Sequence, residues 1–421
     1  MKRLKRVAGI LFALLIFLLV AGIAFILSET RDEIQATPTT VNAHLQDIYN
    51  PERMAGFAAA VFSADSVLYQ GGFGMANRES EQPFTPHTQQ YVASIAKTLI
   101  GVALLKAEEL GLVGLDDSIN KHLPFEVANP AHPGIPITLR HLATHTSSLD
   151  YNEAVVESLY VDDAVKDSSL TAFMQAYFAD GEYGDVTFTD DAPGTRWNYS
   201  NIGAGVAAYV VEVVSGQSFA AFTQTHVFDA LGLEDTGWFL TTTDSTRRGA
   251  YYAPTDSALV AEPARGVQLY PARDLVTTAA DLATFGQAML ARDPRVLTAA
   301  SYKQLFAPQL SPDVRDRTVD NSGLFWMIDR NNYGITYSLT GMNGGDSGIN
   351  TMLWFDPVTE LGYVFIGNTG SSDRNRSNRI WAVRTLISLS DDYRMRNGDL
   401  QLGERLRYRW HNVYSRVNAL F

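Results

Sequence analysis

The feature that most restricts the fold of this chain is where its strand patterns fall. GFAAAVFSADSVLYQGGFG, residues 56–74, reads as two strands around Ala64-Asp65, with glycines at the far end. A comparable signal returns only late, where TMLWFDP and LGYVFIGN flank Val358-Thr359-Glu360 as a second hairpin. Helical patterns dominate residues 116–291, in ITLRHLATH, SLTAFMQAYFA, IGAGVAAYVVEVVSG, FAAFTQTHVFDALG and TAADLATFGQAMLAR. Further helices are expected near residues 41–49 and 374–388. Apolar strand faces must be covered, so this order predicts an antiparallel sheet built from both chain ends. Helices flank it and a helical insertion lies between, an α/β chain of the α+β type.

The first residues, MKRLKR, precede 21 apolar residues at 7–27. About 20 such residues span a bilayer as a helix. Lys2, Arg3, Lys5 and Arg6 should stay cytoplasmic, which sends the remaining chain across the membrane. The apolar run exceeds the roughly 7–15 residues of a signal-peptide core, although Gly22-Ile23-Ala24 would serve as a cleavage site. Residues 1–28 are thus expected to be a transmembrane anchor or signal segment and 29–40 a linker. Residues 41–390 form the globular domain, placed in the periplasm or at the cell surface, and secreted if the segment is cleaved. Residues 391–421 form a basic, aromatic tail with Leu406, Trp410, Val413 and Val417 at helical steps. That stripe suits either an interfacial helix or packing against core or partner.

The chain has no cysteine, which excludes disulfides and thiolate chemistry. Its net charge of −13 argues against a nucleic-acid partner. Eleven Asp and Glu lie at residues 150–191 against Lys166 alone, so most of that charge is local. It is either a solvated surface or a negative rim that repels carboxylates and attracts amines or neutral esters.

YVASIAKTLIG, residues 91–101, raises the question of chemistry. From Ser94, apolar Ile95, Leu99, Val102 and Leu105 recur at helical steps, and Gly111 ends the pattern. On a helix, Lys97 stands one turn above Ser94. Ser94 then lies at the helix N-terminus, where the dipole favours negative charge. A capping serine with a solvated lysine is the plainer reading of the tetrapeptide alone. Further on, PGTRWNYSN gives Tyr199-Ser200-Asn201 before an apolar helix, and YSLTGMNGGDSG puts Leu339-Thr340-Gly341 at a late strand.

Together with HLATHTSSL at residues 141–149 and GLVGLDDSINKHLP at 111–124, these motifs fall in a fixed order. The sequence resembles the serine β-lactamase and penicillin-binding-protein-like hydrolases, especially class C β-lactamases, D-alanyl carboxypeptidases and their esterase relatives. The resemblance runs from about residue 55 to 368. It implies a β-lactamase-like fold and an acyl-serine mechanism. Ser94 would be the nucleophile, Lys97 the base made available by desolvation, and Tyr199 a second acid/base for the leaving group. Asn201, Thr340 and Gly341 would bind substrate, and the backbone N–H groups of Ser94 and Met342 would form the oxyanion hole.

Three positions depart from the family pattern. Leu339 stands where the family usually has a Lys or His that binds a substrate carboxylate. Arg273-Asp274 replaces a frequent pair of glycines, and Phe325 replaces the second glycine of GLGW. Leu339, together with the negative rim, points away from β-lactams and peptides toward esters or cationic aminoacyl groups, while Arg273-Asp274 and Phe325 would narrow the site and Arg273 is a candidate for the missing positive charge. His141 and His145 lack the glutamate of a zinc HExxH motif, and GGDSG at 344–348 lacks a protease context. No metal or cofactor is expected.

The expected protein is an extracytoplasmic, membrane-tethered serine hydrolase of esters or of aminoacyl or amide substrates. The alternatives are a β-lactamase or D-alanyl-D-alanine carboxypeptidase, and a silent relative that binds cell-wall ligands or partner proteins. Its partners would be a small-molecule or cell-envelope substrate and the membrane. The sequence does not define an oligomeric state.

Overall fold

A computed structural model describes residues 37–150, 160–161, 169–179, 188–315, 319–330, 335, 337–398, 400 and 403. The 7–27 apolar run, most of the acidic segment and the tail beyond 403 lie outside the described residues. Among the described residues, no single helix is long and apolar enough to cross a membrane.

Both chain ends contribute to one eight-stranded antiparallel sheet. Its strands are β1 (Gly56–Ser63), β2 (Val67–Asn77), β3 (Gln82–Pro83), β4 (Asn321–Ser322), β5 (Met327–Asp329), β6 (Leu339–Asp346), β7 (Ile349–Asp356) and β8 (Leu361–Gly367). Their spatial order is β4-β5-β6-β7-β8-β1-β2-β3, so the N-terminal hairpin docks beside the C-terminal meander through β1 and β8. The sheet is covered on both faces, which is why GFAAAVFS is apolar throughout rather than alternating. Ala58, Ala60 and Phe62 enter one core layer, while Phe57, Ala59 and Val61 enter the other.

Behind the sheet pack helices α1 (Pro38–Ile48) and α5 (Asp373–Arg396), through Val41, Leu45, Val383 and Leu386. In front lie α2 (Ala96–Glu109), α3 (Asn201–Ser215) and α4 (Ala279–Ala291), with shorter helices of the insertion around them. Helix α3 is capped by the Ser200 hydroxyl, which accepts from the Gly203 N–H, and ends at Gly216 with φ +67°. Helix α4 approaches the sheet at Gly286, where an added Cβ would come within 2.4 Å of the Phe62 ring. Gly362 on β8 is equally close to that ring, so two glycines shape the slot that Phe62 fills.

The helix expected from residue 94 begins differently. Ala93–Ile95 form a single 3₁₀ turn, and the α-helix proper starts at Ala96. Ser94 does not cap it, because its hydroxyl is engaged with other side chains. Phe62→Ala should empty the slot between α4 and β8. It is expected to lower unfolding free energy by about 3–5 kcal/mol, read from the denaturant midpoint of the full chain.

Candidate active site

Three segments converge where α2 begins. Ala93 has φ +48°, a left-handed backbone in a non-glycine residue, and this bend presents Ser94 at the cavity. The bend is held from two sides. Val92 N–H donates to Leu275 O (3.0 Å), and the Thr351 hydroxyl of β7 donates to Val92 O (2.8 Å). Gly344 of β6 lies against the same carbonyl, where a Cβ would stand 2.1 Å from Val92 O, so only glycine lets the strand come this close.

Lys97, one helical turn from Ser94, has no exposed surface. Its Nζ donates to Ala272 O at 2.6 Å and lies 3.1 Å from Ser94 Oγ. Burial disfavours the ammonium, the nearby Arg273 charge adds to this, and the pKa falls to about 7. The Tyr199 hydroxyl donates to Ser94 Oγ at 2.7 Å, and the Lys97 amine sits 5.1 Å from the Tyr199 ring centre. Ser200 takes the capping role at α3, and Asn201, the first residue of that helix, lines the cavity.

His145 supports this group from behind. Its backbone is left-handed at φ +56°, its ring packs 4.5 Å from that of Tyr199, and its Nδ1 accepts from the Ser200 N–H at 3.2 Å. Burial, with the neighbouring Lys97 charge, pushes its pKa down to about 3, so the ring is neutral. Phe325 stands edge-on to His145 at 5.2 Å and itself has φ +58°, the conformation that a glycine there would adopt freely. His141 caps its own short helix, with Nδ1 accepting from the Thr138 N–H. Among the described residues, no group of three or more His, Asp or Glu could hold a metal ion.

The strand beside Ser94 requires a correction. Leu339 is fully buried in the layer behind the sheet, and Thr340 and Gly341 lie outside the lining of the cavity that holds Ser94. Met342, Asn343 and Gly345 do line it, and Met342 belongs to the front layer. The motif-like LTG therefore sits three residues too early, and Met342-Asn343-Gly344 runs past Ser94. The backbone donor changes too. β6 and β7 join through the two-residue turn Ser347-Gly348, so Asp346 and Ile349 close the hairpin against each other. N–H groups along a strand point alternately to its two sides. Met342 and Gly344 therefore direct theirs to β7, while Asn343 and Gly345 direct theirs to the edge left open where β5 ends. Gly345, not Met342, can present an N–H toward the cavity.

That cavity encloses about 330 Å³ and is also lined by Arg273, Asp329, Asp346 and Tyr160. Arg273 does not act as a spare cation. Its guanidinium binds Asp346 and, at 2.6 Å, Asp274. Burial opposes its charge, but these carboxylates outweigh that and hold its pKa above the usual value. Of the acidic residues at 150–191, Asp150 accepts from Asn198 Nδ2 at 3.3 Å and Asp191 pairs with Arg196 at 3.5 Å. Asp190 is described as well, its backbone carbonyl 2.8 Å from His132 Nε2, and the remaining acidic residues of the segment fall outside the described residues. Sequence reasoning missed the Ala272 carbonyl and the Tyr160–Asp346 contact, because neither has a motif.

The family model described as Beta-lactamase matches residues 41–386. The penicillin-binding protein PbpX of Bacillus subtilis (strain 168) is 28% identical over 266 residues, covering 62% of this chain and 62% of PbpX. Esterase EstB of Burkholderia gladioli is 30% identical over 194 residues, covering 44% of this chain and 47% of EstB. The match thus spans less than two thirds of either relative. Among solved structures, D-amino acid amidase from Ochrobactrum anthropi SV3, complexed with L-phenylalanine amide, superposes with a TM-score of 0.66 at 22% identity. It covers 84% of this chain and 99% of the amidase, and it shows the fold.

A buried amine with a depressed pKa is a stability liability. Unfolded Lys97 holds its proton up to about pH 10.5, whereas the folded form releases it near 7. The native state is therefore penalised in full below about pH 7 and recovers as pH rises toward 10.5. Lys97→Met should stabilise the chain by on the order of a few kcal/mol near pH 7. The gain should vanish toward pH 10.5, as read by denaturation midpoints across that range.

Proposed function

This chain belongs to the Beta-lactamase family, and from that premise we propose that it is a serine hydrolase working through an acyl-serine intermediate on carboxylic or aminoacyl esters and related amides. The observation that carries the reading is the contact of Ser94 Oγ with both the buried Lys97 amine, at 3.1 Å, and the Tyr199 phenol, at 2.7 Å. Neutral Lys97 takes the Oγ proton as the oxygen attacks the carbonyl. Tyr199 hands its proton to the leaving oxygen or nitrogen as the tetrahedral adduct collapses, and the Lys97 ammonium restores the phenol. Water then repeats the sequence on the acyl-enzyme. Asn201 orients the carbonyl substituent, and the N–H groups of Ser94 and Gly345 receive the oxyanion.

The charge around the nucleophile supports the substrate class. β6 turns Met342, an uncharged side chain, into the cavity, and Arg273 is spent on two aspartates. Asp329 and Asp346 add negative charge to the lining. A carboxylate-bearing substrate, such as a β-lactam or a peptide ending in D-alanine, finds no unpaired cation among these residues. Neutral esters and ammonium-bearing acyl groups do not need one. β-Lactamase and carboxypeptidase activity remain the alternatives for the same machinery.

A membrane tether and an extracytoplasmic domain are part of the proposal. They rest on the basic residues 2–6 and the apolar residues 7–27 alone, with residues 41–390 as the hydrolase unit.

The test pairs a fluorophosphonate probe with a panel of short-chain esters, nitrocefin and D-alanyl peptides. Wild type should label and should prefer the esters. Ser94→Ala should lose the label and about 10⁴-fold or more in kcat/KM. The wild-type kcat/KM should fall on acidification through about pH 7, where Lys97 gains its proton and ceases to be a base. Labelling that persists in Ser94→Ala, or no labelling of wild type, would sink the assignment.

A further inference from the structure

Beside the Ser94 cavity lies a second one of about 240 Å³, bounded by Tyr91, Tyr251, Glu262 and Arg265. Among the described residues, only Tyr160, Arg273 and Asp346 line both. These three side chains are bonded to one another. The Tyr160 hydroxyl donates to Asp346 Oδ2 at 2.7 Å, and Arg273 Nε donates to the same oxygen. Arg273 is anchored further by Asp274 and by Arg265 O at 2.8 Å, and its guanidinium lies 5.5 Å and 5.2 Å from the Tyr91 and Tyr160 ring centres.

We propose that this Tyr160–Asp346–Arg273 bar is the specificity-determining element of the site, closing its acyl side so that short acyl groups are accepted and long ones excluded. The inference rests on the hydrolase reading above and names the substrate length that follows from it.

The position of the bar identifies the side. Tyr199, which serves the leaving group, lines the first cavity but not the second. Asp346 directly follows Gly345, whose N–H receives the oxyanion, so the bar adjoins the carbonyl end of the site, and the arm of the substrate that crosses it is assigned to the acyl group. The bar is also stiff. Arg273 side-chain exposure is 14%, and its charge is compensated on two sides, so swinging it out would take the guanidinium away from Asp274, a carboxylate with no exposed surface. With glycine at residue 273, one of the three side chains that stand between the two spaces would be gone. An arginine there is thus a wall, and the aspartate after it holds the wall in place.

The test is the acyl-length profile of p-nitrophenyl acetate, butyrate and octanoate, which share one leaving group. Wild-type kcat/KM should drop at least about tenfold from acetate to octanoate, since steric misfit of added methylenes costs factors of this size. Arg273→Ala should bring octanoate to within about threefold of acetate. Removing Arg273 also relieves Lys97 of a neighbouring positive charge, but that alters all three esters alike and cancels in the ratio. Tyr160→Ala removes one leaf of the bar without baring a buried charge, and it decides the matter if Arg273→Ala does not fold. A relaxed profile in a folded variant supports the bar. An unchanged acetate-to-octanoate ratio in Tyr160→Ala and in any folded Arg273→Ala overturns it, as does a wild type that already takes octanoate as well as acetate. A wild type inert to all three esters and to the fluorophosphonate probe fails the hydrolase reading instead.

Discussion

Everything chemical in this molecule depends on holding one amine out of water. Lys97 sits at the start of a helix whose neighbours are almost entirely apolar, and it has a carbonyl and a hydroxyl for company but no carboxylate in hydrogen-bond reach among the described residues. An ion pair would have kept the ammonium charged at neutral pH and useless as a base. Desolvation does the opposite, and the Arg273 charge reinforces it. The fold accepts this destabilised group because a large surrounding core is available to offset it, the usual relation between a strained site and its scaffold.

The backbone around the amine is equally constrained. Ala93, His145 and Phe325 all adopt left-handed conformations without being glycine, and all three border the same few atoms. Ala93 turns the chain so that Ser94 faces the cavity. His145 turns so that its ring reaches both Tyr199 and the Ser200 N–H. Phe325 closes the far side of that ring. The imidazole must stay neutral to accept from the Ser200 N–H through Nδ1, and its burial ensures this. Tyr199 is therefore held by packing against His145 and by its neighbour's backbone, and its hydroxyl donates to Ser94 Oγ.

Periodicity made the sheet, the insertion and the Ser94–Lys97 turn legible before any coordinates. Hairpins around residues 64–65 and 358–360, and the helices starting near 202 and 279, depend on local pattern, and local pattern is what a sequence displays. The strand beside Ser94 was not legible in the same way. Leu339-Thr340-Gly341 has the letters of a substrate-binding motif, but a shift of three residues on a strand exchanges the two faces. The register is fixed by the turn at Ser347-Gly348 and by contact of Gly344 with Val92 O, both of them tertiary facts. The missing cation nevertheless survives the correction, because Met342 is as uncharged as Leu339.

Arg273 shows how one substitution can act on reactivity and selectivity together. Its charge lies close enough to Lys97 to help lower the amine's pKa, yet Asp274 and Asp346 neutralise it toward the cavity. A lone guanidinium would attract carboxylates into the site and would be free to move. Pinned between two aspartates and two tyrosine rings, it loses both properties and keeps its volume. The pair Arg273-Asp274 thus occupies a position suited to small residues without turning the site into an anion receptor. On the proposed reading, a substrate selected on charge would be neutral or positive, and one selected on shape would end before Arg273.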